Sequence, residues 1–142
     1  MPESLFVYGT LRMGAGHPMY NWLTAHCRYR EMGSFQGCMF DVGEYPAVVA
    51  DPSSEGWVKG EIYTVLTPEL LFPRLDRYEG CTNIAPTGAM GANAREVPHS
   101  LYVRVKAPVT LENGGDIEAW IYLYNRPTGH LRSIPGGDYL KR

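Results

Sequence analysis

The chain opens on a short apolar run, Leu5-Phe6-Val7-Tyr8, cut off by Gly9, which predicts a buried strand ending in a tight loop. Met19, Tyr20, Trp22 and Leu23 then predict a short helix within residues 18–25. From Cys27 to Val42 aromatic and polar residues alternate, interrupted by Gly33 and Gly37 and followed by Gly43, a pattern of strands. Tyr45-Pro46-Ala47-Val48-Val49-Ala50 is another apolar run, with its proline near the start, where a strand tolerates one. Trp57 to Val65 alternates well enough to predict a further strand.

The period then changes. Thr67-Pro68-Glu69 places a hydroxyl cap, a proline at the first helical position and an acid in the first turn, which together start a helix. Leu70, Leu71, Leu75 and Tyr78 continue at helical spacing and Gly80 stops the run. Pro73 removes one backbone donor and is expected to kink or shorten this helix. Residues 82–100 read as a loop rich in Gly, Ala, Asn and Pro. Leu101 to Val105 predicts a strand, Glu112 to Asp116 a turn, and Ile117 to Tyr124 an antiparallel partner strand. The stretch Ile134 to Leu140 reads as a final turn, and no repeat or low-complexity linker interrupts the chain. These elements predict one α+β domain over residues 1–142, with a mostly antiparallel sheet closing into a small barrel and a few short flanking helices.

Composition narrows the function classes. A net charge of −2 with scattered Lys and Arg leaves no electrostatic footprint for nucleic acid. No apolar run approaches the ~20 residues of a membrane span, and the N-terminal residues lack a signal-peptide pattern, so a cytoplasmic location is expected. Cys27, Cys38 and Cys81 are odd in number and unrelated in spacing, and the four histidines show no ligand spacing. Neither a disulfide framework nor a metal site is therefore expected. The serines lack a nucleophile-elbow setting, and Gly14-Ala15-Gly16 is not continued into a phosphate-binding motif.

Two places remain where chemistry is plausible. A strand ending abruptly at Tyr8-Gly9-Thr10-Leu11 leaves backbone N–H groups without sheet partners, and such groups form concavities suited to a carboxylate or oxyanion. On spacing alone a plain strand-to-loop turn is the commoner outcome. Glu79 ends the Pro68 helix among Leu75 and Tyr78, where the helix dipole and apolar neighbours both disfavour its ionised form. That is the tuning a proton-shuttling carboxyl needs near neutral pH, although a solvated surface role is the commoner fate of glutamate.

Taken in order, several short motifs resemble the γ-glutamylcyclotransferase-like family. They are Phe6 to Arg12, Tyr45 to Val48, Val58 with Gly60-Glu61 and Tyr63, and Leu75-Asp76 with Tyr78-Glu79-Gly80. Tyr102 with Arg104, Ala119-Trp120 with Tyr122, and Gly137-Asp138-Tyr139 complete the series. The resemblance implies a cofactor-independent cyclisation. The α-amine of a small γ-glutamyl substrate attacks its own γ-carbonyl, releasing 5-oxoproline and an amine. It also implies Glu79 as the acid–base residue, and Tyr8, Gly9, Thr10 and Leu11 as the loop that binds the glutamyl part. Tyr124 and Tyr139 are candidate pocket walls, each equally readable as an amphipathic core tyrosine. Asp76 reads as structural at the helix end, and Arg12 either meets a substrate carboxylate or faces water.

The chain departs from the family where residues 81–100 are inserted directly after the glutamate-glycine pair, as either a lid or a tolerated loop. The alternative to an enzyme is a non-catalytic module that binds a glutamyl-like molecule in the same pocket. The oligomeric state, the leaving amine and the pathway have no signature in the sequence.

Overall fold

The computed structural model describes residues 3–43, 45–50, 56–79 and 101–141. The predicted insertion, the Gly80 helix stop and the lid or loop alternative lie outside the described residues.

β1 (Glu3–Val7) is followed by α1 (Met19–His26), β2 (Cys27–Asp41), β3 (Pro46–Ala50) and β4 (Trp57–Val65). Then come α2 (Pro68–Tyr78), β5 (Tyr102–Leu111), β6 (Asp116–Tyr124), the two-residue β7 (Arg132–Ser133) and a 3₁₀ turn, Tyr139–Lys141. β2, β4, β1, β6 and β5 are neighbours in that order, and pairing of β5 back onto β2 at Gly33↔Leu111 and Ser34↔Thr110 closes a five-stranded barrel. All of these pairs are antiparallel except β1 with β6, which meet in parallel at Leu5↔Trp120.

β2 belongs to two sheets. Its first part pairs with β4, with a register shift between Tyr29 and Glu31, and its last part, Gly37 to Asp41, pairs with β3. The expected glycine-divided strands are one continuous element because Gly33 and Gly37 serve close approach rather than chain reversal. A Cβ on Gly37 would lie 2.4 Å from the Val49 carbonyl oxygen.

The apolar runs lack clean alternation because both faces of these strands are covered. Phe6, Val58, Ile62, Val103, Val105, Ile121 and Leu123 fill the barrel interior. Leu5, Val7, Tyr63, Val65, Tyr102 and Tyr122 face outward into a second core, built with Leu23 of α1 and Leu71, Phe72 and Leu75 of α2. Period 2 survives in which core each residue enters, not in polarity.

Three expectations need correction. Pro73 lies inside α2 without shortening it, because the face carrying Glu69 and Pro73 is exposed and water can serve the carbonyl that loses its partner. The Thr67 hydroxyl makes no cap hydrogen bond; it engages His26 Nδ1 at 2.6 Å, joining the end of α1 to the start of α2. β5 continues past Val105 to Leu111 through Pro108, at a position where only β6 is paired with it. The predicted hairpin is present: β5 and β6 pair from Tyr102↔Tyr124 to Thr110↔Asp116, around a turn with Gly114 at φ 104.

Candidate active site

The chain leaving β1 reverses at once. The Arg12 N–H donates to the Gly9 carbonyl at 3.0 Å, closing a turn over residues 9–12. Gly9 lies hard against the start of β3, where a Cβ would come within 2.6 Å of Pro46 Cγ. The Gly-Thr pair after the first strand and the Tyr45-Pro46 pair are thus two halves of one contact. The Thr10 and Leu11 N–H groups make no backbone hydrogen bond among the described residues.

The turn is anchored from behind by Arg12, which does not face water and is not among the residues lining the cavity between this turn and the end of α2. It is buried, with Nε 3.2 Å from Glu61 Oε2 and Nη1 2.8 Å from Asp138 Oδ1. Glu61 Oε1 accepts from the Met13 N–H and the Tyr63 hydroxyl, each at 2.9 Å. One guanidinium therefore joins the loop to β4 and to the C-terminal Gly137-Asp138-Tyr139 turn.

α2 brings Glu79 to this loop. Its last turn is held by Asp76, which accepts from Arg104 Nε at 2.8 Å, Arg104 Nη2 at 3.1 Å and the Tyr122 hydroxyl at 2.6 Å. Arg104 is itself buried, with Phe72 and Trp120 rings 4.0 and 4.5 Å from its guanidinium carbon. The expected structural role of Asp76 has this geometric form, and it accounts for the Tyr-x-Arg and Trp-x-Tyr motifs on β5 and β6. Glu79 follows as the helix C-cap, its N–H donating to the Leu75 carbonyl at 2.9 Å.

Between helix end and turn lies a cavity of about 270 Å³. Tyr8, Gly9, Thr10, Leu11 and Glu79, all singled out in the sequence, line it together. Tyr124 and Tyr139 do not. Tyr124 packs its ring 5.5 Å from Tyr102 in the outer core, and Tyr139 lies in the barrel core. Besides Tyr8, the tyrosines that line the cavity are Tyr45, Tyr78, Tyr102 and Tyr122. All four stand in or beside motifs already visible in the chain, so the signal was there but not the tertiary position that decides which of them borders the cavity. Tyr122 and Tyr124 share the outer face of β6, yet of the two only Tyr122 lines the cavity. His17 also lines the cavity, and nothing in its sequence setting marked it.

The electrostatics follow from this packing. Burial, and secondarily the Asp76 charge, push the Glu79 carboxyl up to about 8. Burial raises the Tyr8 hydroxyl well above its ordinary value, with the Glu79 charge adding to it, so Tyr8 stays a neutral phenol. Tyr8 donates to the Tyr122 carbonyl and Tyr102 to the Pro46 carbonyl, fixing both rings across the cavity floor. A protonatable carboxyl thus lines the same cavity as a tight turn whose Thr10 and Leu11 N–H groups make no backbone hydrogen bond among the described residues, within a wall of tyrosine rings.

That combination of barrel, turn and carboxyl is the arrangement expected of a γ-glutamylcyclotransferase-like domain. The chain matches the model of the gamma-glutamyl cyclotransferase, AIG2-like family over residues 5–141, and it belongs to that family. It is 27% identical over 138 residues to the gamma-glutamylcyclotransferase family protein YtfP of Escherichia coli, covering 97% of this chain and 96% of that protein. A solution structure of E. coli YtfP superposes with a TM-score of 0.59 at 26% identity, covering 98% of this chain and 97% of that one. A mouse AIG2-like protein shares the fold with a TM-score of 0.70 at 22% identity, over 97% of this chain and 88% of that one. No helix among the described residues is long and apolar enough to cross a membrane.

Proposed function

We propose that this cleft cyclises a small γ-glutamyl amine or amide, releasing 5-oxoproline and the free amine, with Glu79 as its proton carrier. The observation that carries the reading is the Glu79 carboxyl, pushed up to about 8 and lining the same cavity as the Gly9–Leu11 turn. The turn N–H groups take the substrate's carboxylate, which holds the glutamyl part with its α-amine folded toward the γ-carbonyl. Glu79 as carboxylate removes a proton from the α-ammonium. The amine nitrogen attacks the γ-carbonyl carbon, and the carbonyl π electrons move onto oxygen. When the tetrahedral intermediate collapses, Glu79 returns its proton to the leaving nitrogen as the bond to it breaks and the carbonyl re-forms. Glu79 then takes the second proton from the ring nitrogen and passes it to the departing amine, which leaves as an ammonium. One carboxyl balances the whole reaction, and no water is consumed.

The test is 5-oxoproline release over a panel of γ-glutamyl amides and amines, with the wild type and Glu79→Gln. Wild-type turnover of at least one member is expected, with a loss of about 10²-fold or more in the Gln variant, the scale of general acid–base contributions. Gln activity equal to wild type would remove Glu79 from the role. A panel that binds but never turns over would make the cleft a glutamyl-binding module instead.

A further inference from the structure

The rim of the cavity carries a chain of hydrogen bonds that the cyclisation does not use. The Met19 N–H donates to His17 Nδ1 at 3.0 Å. His17 Nε2 lies 3.1 Å from the Tyr78 hydroxyl, and that hydroxyl lies 2.8 Å from Thr10 Oγ1. The bonds therefore span from the loop before α1 to the residue preceding Glu79, and back to the middle of the Gly9–Arg12 turn.

The first bond sets the direction at His17. A ring nitrogen that accepts a backbone N–H carries no proton, so the neutral imidazole bears its hydrogen on Nε2. Nε2 then donates to the Tyr78 oxygen, while either hydroxyl can be the donor in the Tyr78–Thr10 bond. With Tyr78 as the donor, Thr10 Oγ1 accepts and its own hydrogen is left to donate, beside the N–H groups of Thr10 and Leu11. The His17 and Tyr78 rings, 5.1 Å apart and edge-on, hold the two groups in place. Thr10, His17 and Tyr78 all line the cavity.

We propose that Tyr78 is a positioning residue: its hydroxyl, oriented by His17, fixes Thr10 as an additional donor to the carboxylate of a glutamyl ligand. Tyr78 joins the turn to the helix end that carries Glu79, so carboxylate recognition and proton transfer share one strut. The inference rests on the glutamyl reading of the cleft but not on turnover.

The measurement is calorimetric binding of two probes, 5-oxoproline and 2-pyrrolidinone, which differ by the carboxylate alone. Wild type, Thr10→Val, Thr10→Ser, Tyr78→Phe and the Tyr78→Phe/Thr10→Val double variant are compared. Tyr78→Phe and Thr10→Val are each expected to weaken 5-oxoproline by about tenfold, the scale of one hydrogen bond to a charged group, and to leave 2-pyrrolidinone unchanged. The double variant is expected to lose no more than Thr10→Val alone, because Tyr78 acts through Thr10. Thr10→Ser is expected to retain the preference for the carboxylate.

Additive losses, equal losses for both probes, or no carboxylate-dependent binding by the wild type would each overturn the proposal. If the wild type fails to release 5-oxoproline yet shows the expected binding pattern, the cyclisation falls and the strut stands. Turnover with an unselective Tyr78→Phe defect has the opposite meaning.

Discussion

Glu79 holds a proton more tightly in the folded chain than in the unfolded one, where a glutamate titrates near 4.5. Below about pH 4.5 both states carry the proton, and the folded state keeps the full benefit. As pH rises from there to about 8, the unfolded chain gives up its proton and the folded chain does not, so stability falls; above about 8 the effect is flat. Thermal melts should therefore show the wild-type Tm declining relative to Glu79→Gln across that window. A constant or rising difference would mean the carboxyl is not held protonated by burial. Under the proposed reaction the same residue is expected to set the rate: in the empty cleft its base form grows as pH passes about 8, so kcat/KM should climb along a limb near that value. Turnover that is flat from pH 6 to pH 9 would separate the rate from this carboxyl.

The next scale is the helix end on which that carboxyl sits. α2 is held to the barrel by the Asp76–Arg104 pair and the Tyr122 hydroxyl, all in its last turn. Replacing Asp76 by Asn leaves a buried guanidinium without its countercharge and is expected to cost about 3 kcal/mol in urea unfolding. It also removes the second of the two causes that raise Glu79, so the ascending limb of kcat/KM should move to lower pH. A limb that stays put would assign the Glu79 shift to burial alone. α2 itself was legible, start and length, because Thr67-Pro68-Glu69 and the leucine spacing are local signals. What Pro73 and the Thr67 hydroxyl do was not, since one depends on which helix face meets water and the other on His26, far away in the chain.

For the molecule as a whole, the barrel depends on strands approaching closely at Gly60. This residue sits at the centre of β4, opposite Gly33 of β2, and a Cβ there would meet the Val7 carbonyl oxygen at 2.3 Å and Phe6 Cζ at 2.6 Å. Backbone cannot yield as a side-chain tip does, so Gly60→Ala is expected to destabilise the fold by about 3 kcal/mol, read from the urea midpoint. Because β1 ends two residues before the Gly9 turn, the same variant should also weaken ligand binding, through the displacement of the loop. A variant as stable as wild type would show that the ring closes without this contact. The buried Arg12, Glu61 and Asp138 belong to this scale too, since they link the first loop, a barrel strand and the closing turn.

The chain alone carried the local order of elements, the α+β class and the short motifs, because spacing, caps and turn residues act over a few neighbours. It also marked Glu79 and the Tyr8–Leu11 loop as candidates, since a helix end and an interrupted strand are visible in a line of text. Only the tertiary structure brought them to one cavity, through β1 pairing with both β4 and β6, and α2 docking by Asp76 on Arg104. It alone turned Tyr102 and Tyr122 to the cavity, left Tyr124 and Tyr139 out of the lining, and drew Arg12 inward. The reason is physical: these strands are covered on both faces, so polarity does not tell which tyrosine borders the cavity even between Tyr122 and Tyr124 on one face of β6, and the partner of a buried charge lies elsewhere in the chain.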